Sequence, residues 1–158
     1  MKFKQIPTID LTPWKVGDYT PEIDGLIERA LDHYGFMNLV GHEVRGSIVR
    51  SLVYELQTYF DRPFEQKALD TVKPDNYRGY IPLGFFSPNN GIGESDNYEG
   101  YKLHFEVSNA HPVCDECALY GSNRWPVNSR NLRLLIMAYW ADCDRLSTQL
   151  LGAFERIL

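Results

Sequence analysis

His104-Phe105-Glu106 has residue types and a spacing that could bind a metal ion. On a strand, residues i and i+2 share one face, so the imidazole and the carboxylate would resemble part of a facial iron triad. Such a triad also needs a second histidine from a distant strand, and no histidine follows His111 in the sequence. A plain strand with one polar face is therefore the preferred interpretation.

Two further motifs were weighed in the same way. His111-x-x-Cys114-x-x-Cys117 could hold zinc or exchange thiols, but a structural zinc site needs four ligands and a single Cys-x-x-Cys pair is present. Two unpaired loop cysteines are the preferred interpretation, and a small zinc protein remains the weakest alternative. Arg145-Leu146-Ser147 resembles the Arg-x-Ser pair that holds 2-oxoglutarate. It falls in a predicted helix, where residues i and i+2 diverge by about 200°, and it is rejected as coincidence.

Arg78 and Lys102 are the polar residues that the sequence favours for ligand contact. Arg78 precedes Gly79-Tyr80, and Lys102 lies among Tyr98, Tyr101 and Phe105. A cation framed by aromatic rings can orient a ligand that carries a carboxylate. The alternative for each is a surface cation whose aliphatic stem covers apolar neighbours.

The periodicity of apolar residues predicts short strands and three main helices, the last one long. No domain boundary is evident, so residues 1–158 are expected to form a single α+β unit. The predicted elements are a strand at Ile6–Leu11, a helix from Thr20-Pro21 to the stop at Gly35, a buried strand at Phe36–Val40, a helix from Gly41-His42 to Arg62-Pro63, a helical turn at Phe64–Leu69, a strand at Tyr77–Leu83, a mobile loop at Gly84–Gly100, a strand at Tyr101–Val107 and a helix from Asn128.

The last predicted helix carries an apolar stripe from Leu132 to Ile157 and has no C-terminal stop signal. A helix of this kind needs a partner surface for its apolar face. We therefore expect that much of the covering surface is missing from this chain.

Composition excludes several classes of protein. A net charge of −5 and a pI near 5.3 argue against a nucleic-acid binder. No apolar run is long enough for a membrane span, and the first residues lack the apolar core of a signal peptide. Three cysteines provide no disulfide framework, so a cytoplasmic location is expected.

Six segments, in order, resemble the isopenicillin N synthase-like 2-oxoglutarate/Fe(II) dioxygenases. They are Ile6–Leu11, the Gly-Phe, apolar strand, Gly-His pattern at Tyr34–His42, Tyr59-Phe60 with Pro63, Glu65 and Lys67, the Arg-Gly-Tyr turn at Arg78–Gly84, the Lys-Glu-x-Phe strand at Tyr101–Phe105 and the Asn-x-Trp-Pro step at Asn123–Pro126. The match departs at Leu103, which stands where the family usually has glutamate.

The resemblance implies the helix-rich N-terminal part of an oxygenase whose double-stranded β-helix, or jelly roll, is not in this chain. That jelly roll would supply the iron ligands and the Arg-x-Ser pair. The sequence accordingly assigns no catalytic residue and no metal ligand here, and expects Fe(II) and 2-oxoglutarate only in a full-length enzyme. Carried over by position, Arg78, Tyr80 and Ile81 become candidate substrate contacts, alongside Lys102.

The leading hypothesis is therefore the N-terminal part of an oxygenase that hydroxylates, desaturates or cyclises a small molecule. This part would contribute scaffold and some of the pocket wall, with its own jelly roll or a partner chain completing the enzyme. The alternative is a short, non-catalytic docking module that pairs with a partner chain through the helix at 132–158. Neither hypothesis involves nucleic acid or a membrane.

Overall fold

The computed structural model describes residues 5–14, 20–74, 76–87, 95–117, 119–127 and 129–158. Within them lie helices and short strands, in keeping with the predicted α+β class. In chain order the elements are β1 (Thr8–Asp10), α1 (Pro21–Tyr34), β2 (Asn38–Val40), α2 (Gly46–Phe60), α3 (Phe64–Ala68), β3 (Gly79–Ile81), β4 (Gly100–Lys102), α4 (Val113–Glu116) and α5 (Arg130–Ile157).

The chain divides into two compact units, and each is described by itself. Unit 1 comprises Met1–Arg50 with Leu135–Leu158, and unit 2 comprises Ser51–Leu134. The prediction that residues 1–158 act as one N-terminal region stays a prediction. No helix in the described part of the chain is long and apolar enough to cross a membrane.

Helix α1 of unit 1 begins and ends where the sequence signals predict. Pro21 occupies the first helical turn, where its missing N–H costs nothing, and Thr20 precedes it. Gly35 ends the helix in the left-handed conformation at φ 70°, and its N–H bonds to the carbonyls of Ala30 and Leu31. Glycine suits this position because it has no Cβ to clash.

The core of unit 1 forms between the β1–β2 pair, α1 and the second half of α5. β1 and β2 pair in parallel with Ile9 opposite Leu39. The buried residues of the core, and the partly buried ones packed on them, are Ile9, Leu11, Ile23, Ile27, Ala30, Ala153, and then Trp14, Met37, Leu39, Leu146, Leu150, Phe154 and Ile157. Four residues of the α5 stripe, Leu146, Leu150, Phe154 and Ile157, are therefore partly buried against this core. The expectation that much of the covering surface is missing stays a prediction.

A buried carboxylate on α5 clamps the segment before α2. Asp142 accepts hydrogen bonds from Arg45 N (3.1 Å), Nε (2.9 Å) and Nη2 (3.0 Å). Arg145 adds a contact from Nη1 to Asp142 and donates from Nη2 to the Glu43 carbonyl. Arg145 thus has a structural role in unit 1, which agrees with the rejection of Arg145-Leu146-Ser147 as a cofactor pair.

Several predicted elements were wrong in extent, and the strands at Ile6–Leu11 and Tyr77–Leu83 are shorter than predicted. Helix α2 begins at Gly46, because Glu43 has a left-handed φ of 57° that a helix cannot include. The N–H groups of Val44 and Arg45 then donate to His42 Nδ1 and to the Asp142 carboxylate. The predicted buried strand at Phe36–Val40 is paired only from Asn38 onward, and Phe36 is 70% exposed.

The predicted strand at Tyr101–Val107 is also shorter than expected. The observed strand covers Gly100–Lys102, because the N–H and the carbonyl of His104 bond instead to the Asn123 side chain at 3.0 and 2.8 Å. Asn128 and residues 88–94 of the predicted mobile loop lie outside the described residues.

Asp142→Asn should weaken unit 1 and reduce its sensitivity to acid. The hydrogen bonds from Arg45 lower the pKa of Asp142 from 3.8 to about 2. The charged form therefore stabilises the fold above a pH of about 4, and this contribution disappears as the pH falls towards about 2. We expect a lower Tm for Asp142→Asn at neutral pH and a smaller further loss on acidification, both followed by circular dichroism.

Asp144→Asn is the matched control, because Asp144 is an exposed carboxylate on the same helix. Equal acid sensitivity of the wild type and Asp142→Asn would contradict this role of Asp142.

Candidate functional site

The Arg-Gly-Tyr turn lies at the centre of unit 2. Tyr80 N donates to the Asp70 carbonyl at 2.8 Å, and Val72 N donates to the Tyr80 carbonyl at 3.0 Å. On its other side Tyr80 pairs with Tyr101 in the antiparallel ribbon of β3 and β4. The backbone of β3 is therefore bonded along both edges, which explains why all three of its residues are buried.

Gly79 is required by a close approach of two backbone segments. Its φ is 122°, and a Cβ added there would lie 2.2 Å from the Asp70 carbonyl oxygen. L-residues rarely adopt this conformation, and the contact is with backbone, which cannot move aside cheaply. The glycine of the Arg-Gly-Tyr signature therefore has a steric cause.

Arg78 is the most unusual residue of the turn, because its side chain is 0% exposed. Nη2 donates to the Leu119 carbonyl, whereas Nε and Nη1 have no hydrogen-bond partner among the described residues. Burying a cation without an acceptor for its donors is costly. The alternative that Arg78 is a surface cation is wrong, and two of its nitrogens have no acceptor among the described residues.

Lys102 adds positive charge to this region, and the His104 imidazole is also close to it. The Lys102 ammonium lies 4.0 Å from the centroid of the Tyr77 ring, a different aromatic partner from those that the sequence suggested. Burial, followed by the charges of Arg78 and Lys102, lowers the pKa of His104, so the imidazole is held neutral. His104 Nε2 is buried without a partner in the described part of the chain.

Tyr80 and Ile81 both make contacts within unit 2, and Ile81 pairs with Gly100 of β4. The Tyr80 hydroxyl donates to Glu99 Oε2 at 2.5 Å, and Lys67 Nζ donates to the same oxygen at 2.8 Å. Burial and the contact with Glu99 raise the pKa of Tyr80 to about 12. Burial opposes the charge of Glu99, but the hydrogen bonds from Lys67 and Tyr80 outweigh it and lower the pKa of the carboxyl.

A buried aromatic cluster supports the ribbon from the end of α2. The ring of Tyr59 packs edge-on against Tyr80 and Tyr101, with centroids 6.4 and 5.3 Å away. Its hydroxyl donates to the Asp70 carboxylate at 3.1 Å. Burial is the main reason that the pKa of Tyr59 and that of Tyr101 are raised. These tyrosines are consequently neutral packing groups.

The Asn-x-Trp-Pro step supplies hydrogen bonds that sequence reasoning did not foresee. Arg124 donates to the carbonyls of Thr71 (2.5 Å) and Leu69 (3.2 Å), and its own carbonyl accepts from the Tyr101 hydroxyl at 3.0 Å. Glu99 was missed as well. A signal for it exists, because Glu99-Gly100-Tyr101 also satisfies the Glu-x-aromatic spacing that had been placed at Leu103.

The structure does not assemble the metal motifs. In the described ranges no group of three His, Cys, Asp or Glu side chains is placed to hold a metal ion. Asn123 contacts both residues of the first motif. Its side chain accepts from the backbone N–H of His104, and its own N–H donates to Glu106 Oε1. In the second motif His111 Nδ1 accepts from Val113 N, and Cys114 Sγ contacts the Ser108 carbonyl.

Comparison with known proteins identifies the class. The family model described as "non-haem dioxygenase in morphine synthesis N-terminal" matches residues 6–128. A homoarginine-6-hydroxylase of Arabidopsis thaliana is 26% identical over 97% of this chain and 45% of its own length. The 2-oxoglutarate-dependent dioxygenase tropC of Talaromyces stipitatus is 28% identical over 97% of this chain and 48% of its own length.

A solved structure shows the same fold. A Caulobacter crescentus protein assigned to the 2OG-Fe(II) oxygenase family superposes with a TM-score of 0.73 at 18% identity, over 96% of this chain and 48% of that one. The chain therefore belongs to the N-terminal region of the non-haem 2-oxoglutarate/Fe(II) dioxygenases. It spans about half the length of the curated relatives it matches.

Gly79→Ala should destabilise unit 2 strongly. The added methyl group would meet the Asp70 carbonyl, so β3 must move, at an expected cost of about 2–4 kcal/mol in the free energy of unfolding. Gly100→Ala is the matched control on the neighbouring strand, because its Cβ would lie 3.7 Å from the nearest atom, in Tyr98. Urea unfolding of both variants measures the difference, and equal losses would refute the steric explanation.

Proposed function

We propose that this chain is the N-terminal part of a cytoplasmic oxygenase that oxidises a small molecule with Fe(II) and 2-oxoglutarate. It would contribute scaffold and part of the substrate pocket wall, and the wall residues would be Arg78, Tyr80, Ile81 and Lys102. A jelly roll, in the same polypeptide or in a partner chain, would supply the remainder of the enzyme. The proposed partners of this chain are the small-molecule substrate and that jelly roll.

The observation that carries the pocket proposal is the buried guanidinium of Arg78. Two of its three nitrogens have no acceptor within the described residues, and Lys102 and the neutral His104 add no negative charge. The acceptor that fits two guanidinium donors best is a carboxylate, which can take both at once. A substrate bearing a carboxylate is therefore the expected class.

Tyr80 and Ile81, which are 2% and 6% exposed, would then support the pocket wall by packing behind it. The Tyr80 hydroxyl already donates to Glu99, so it is not available to donate to a ligand as well. Ile81 is buried in β3 and has no polar side-chain group to offer. This division leaves recognition of charge to Arg78 and Lys102.

Iron does not fit the residues described here. The one imidazole beside the proposed wall, His104, is under the positive fields of Arg78 and Lys102, which oppose a second cation. The family's Fe(II) and 2-oxoglutarate supply the oxidising chemistry when bound, and we assign no step of it to this chain. Its contribution is to bind and orient the substrate.

The natural polypeptide that carries residues 1–158 should form succinate from 2-oxoglutarate when Fe(II) is supplied. The first assay adds homoarginine, the compound in the name of the Arabidopsis relative, beside a reaction without added substrate. Substrate-dependent succinate supports the proposal and identifies a substrate. Absence of succinate with and without substrate, in a protein that binds Fe(II), would overturn it.

Lys102→Met should raise the KM for a carboxylate substrate about tenfold while kcat changes little, because the lost attraction acts mainly on binding. Arg78→Lys should have a larger effect on KM, since lysine cannot make the bidentate contact. Lys73→Met, which removes an exposed cation of the same unit, is the control. Unchanged KM values in both Lys102→Met and Arg78→Lys would end the assignment of these residues to the pocket.

A further inference from the structure

The register of the β3–β4 ribbon is weakly specified by its own residues. The ribbon has three pairs, and two of them contain glycine, Gly79 opposite Lys102 and Ile81 opposite Gly100. Glycine has no side chain to pack across strands, and such short, glycine-rich ribbons can slip. A slip of one residue would turn Lys102 to the opposite face of the ribbon.

A carboxylate just before β4 supplies the missing restraint. Glu99 Oε2 accepts from the Tyr80 hydroxyl, which belongs to β3, and from Lys67 Nζ, which belongs to α3. Lys67 is itself anchored, because Nζ also donates to the Phe60 carbonyl at 2.7 Å and its residue is only 7% exposed. Glu99 Oε2 therefore connects the start of β4 to β3 and α3 directly, and to the end of α2 through Lys67.

We propose that Glu99 is a positioning residue that, through Lys67 and Tyr80, holds β4 in the register that places Lys102 over Tyr77. The positioning stands on these contacts alone. Its consequence for substrate recognition rests on the proposed function, because Lys102 is one of the proposed wall residues.

Removal of the Glu99 charge should both destabilise unit 2 and release the start of β4. Lys67 is almost fully buried, so its ammonium would lose its counterion. Movement of the start of β4 would change the environment of Lys102, three residues along. The position of Lys102 therefore separates a positioning role from a loss of stability alone.

The test is the NMR signal of the Lys102 ε-methylene group in the natural polypeptide, labelled selectively with ¹³C-lysine. A methylene held over the face of Tyr77 is shifted upfield by the ring current, and Lys102→Arg identifies the signal by removing it. Glu99→Ala should return the signal to the position of an exposed lysine. It should also speed amide exchange over residues 99–103 by about tenfold, the effect of losing one charged hydrogen bond.

Two conservative variants keep the test decisive if Glu99→Ala does not fold. Glu99→Gln retains an acceptor for Tyr80 but loses the ion pair, and Tyr80→Phe retains the ring but loses the hydroxyl. Each should give an intermediate shift and about a threefold increase in exchange, with the methyl signals of Ile9 and Ile27 in unit 1 unchanged. Glu65→Gln, an exposed carboxylate two residues from Lys67, is the matched control.

An unmoved Lys102 signal and unchanged exchange in both Glu99→Gln and Tyr80→Phe would overturn the positioning role. This outcome is distinct from failure of the proposed function, because the NMR experiment requires no turnover. If the signal moves as expected while Lys102→Met leaves KM unchanged, Glu99 positions β4 but Lys102 does not contact the substrate.

Discussion

Hydrogen bonding of buried charge is the constraint on which both units depend. An ionised side chain that leaves water must recover its lost hydration from fixed donors or acceptors. In unit 1, Asp142 does so through Arg45 and Arg145, and Asp24 on α1 does so through Arg156 near the end of α5, at 2.6 and 2.9 Å. These contacts hold segments that are distant in sequence.

In unit 2, the two buried cations differ in how many acceptors they have among the described residues. The Lys67 ammonium donates to the Glu99 carboxylate and to the Phe60 carbonyl. Among the described residues, Arg78 is bonded to a single carbonyl, although it is the more deeply buried of the two cations. A native fold rarely retains a buried cation with unused donors unless another group meets them. This is why we propose Arg78 of the Arg-Gly-Tyr turn as a ligand contact.

Specific contacts explain several residues of the family signature. Gly79 allows the backbone of β3 to approach Asp70, and Tyr80 packs on Tyr59 while donating to Glu99. Asn123 substitutes for a strand partner of His104, which ends β4 early. A motif that seemed to be a list of residue preferences is therefore a set of contacts within one small ribbon and its supports.

Much of the fold was predictable because its signals are local. The Thr20-Pro21 start and the Gly35 stop of α1, and the apolar periodicity of α5, follow from rules that act within a few residues. Strand lengths were overestimated at both Phe36–Val40 and Tyr101–Val107. An apolar alternation shows that a segment can be a strand, but a strand forms only where a partner's backbone is available.

The sequence by itself determined the order and type of the main helices and the class of protein, and it predicted the Arg-Gly-Tyr turn as a candidate site. Only the tertiary structure decided that Arg78 is buried, that Lys102 lies over Tyr77 and that Glu99 is the carboxylate beside Lys67 and Tyr80. The physical reason is that helix signals depend on neighbours along the chain. The burial of a charge and the choice of its partner depend on residues that lie tens of positions away, as Glu99 lies 32 positions from Lys67.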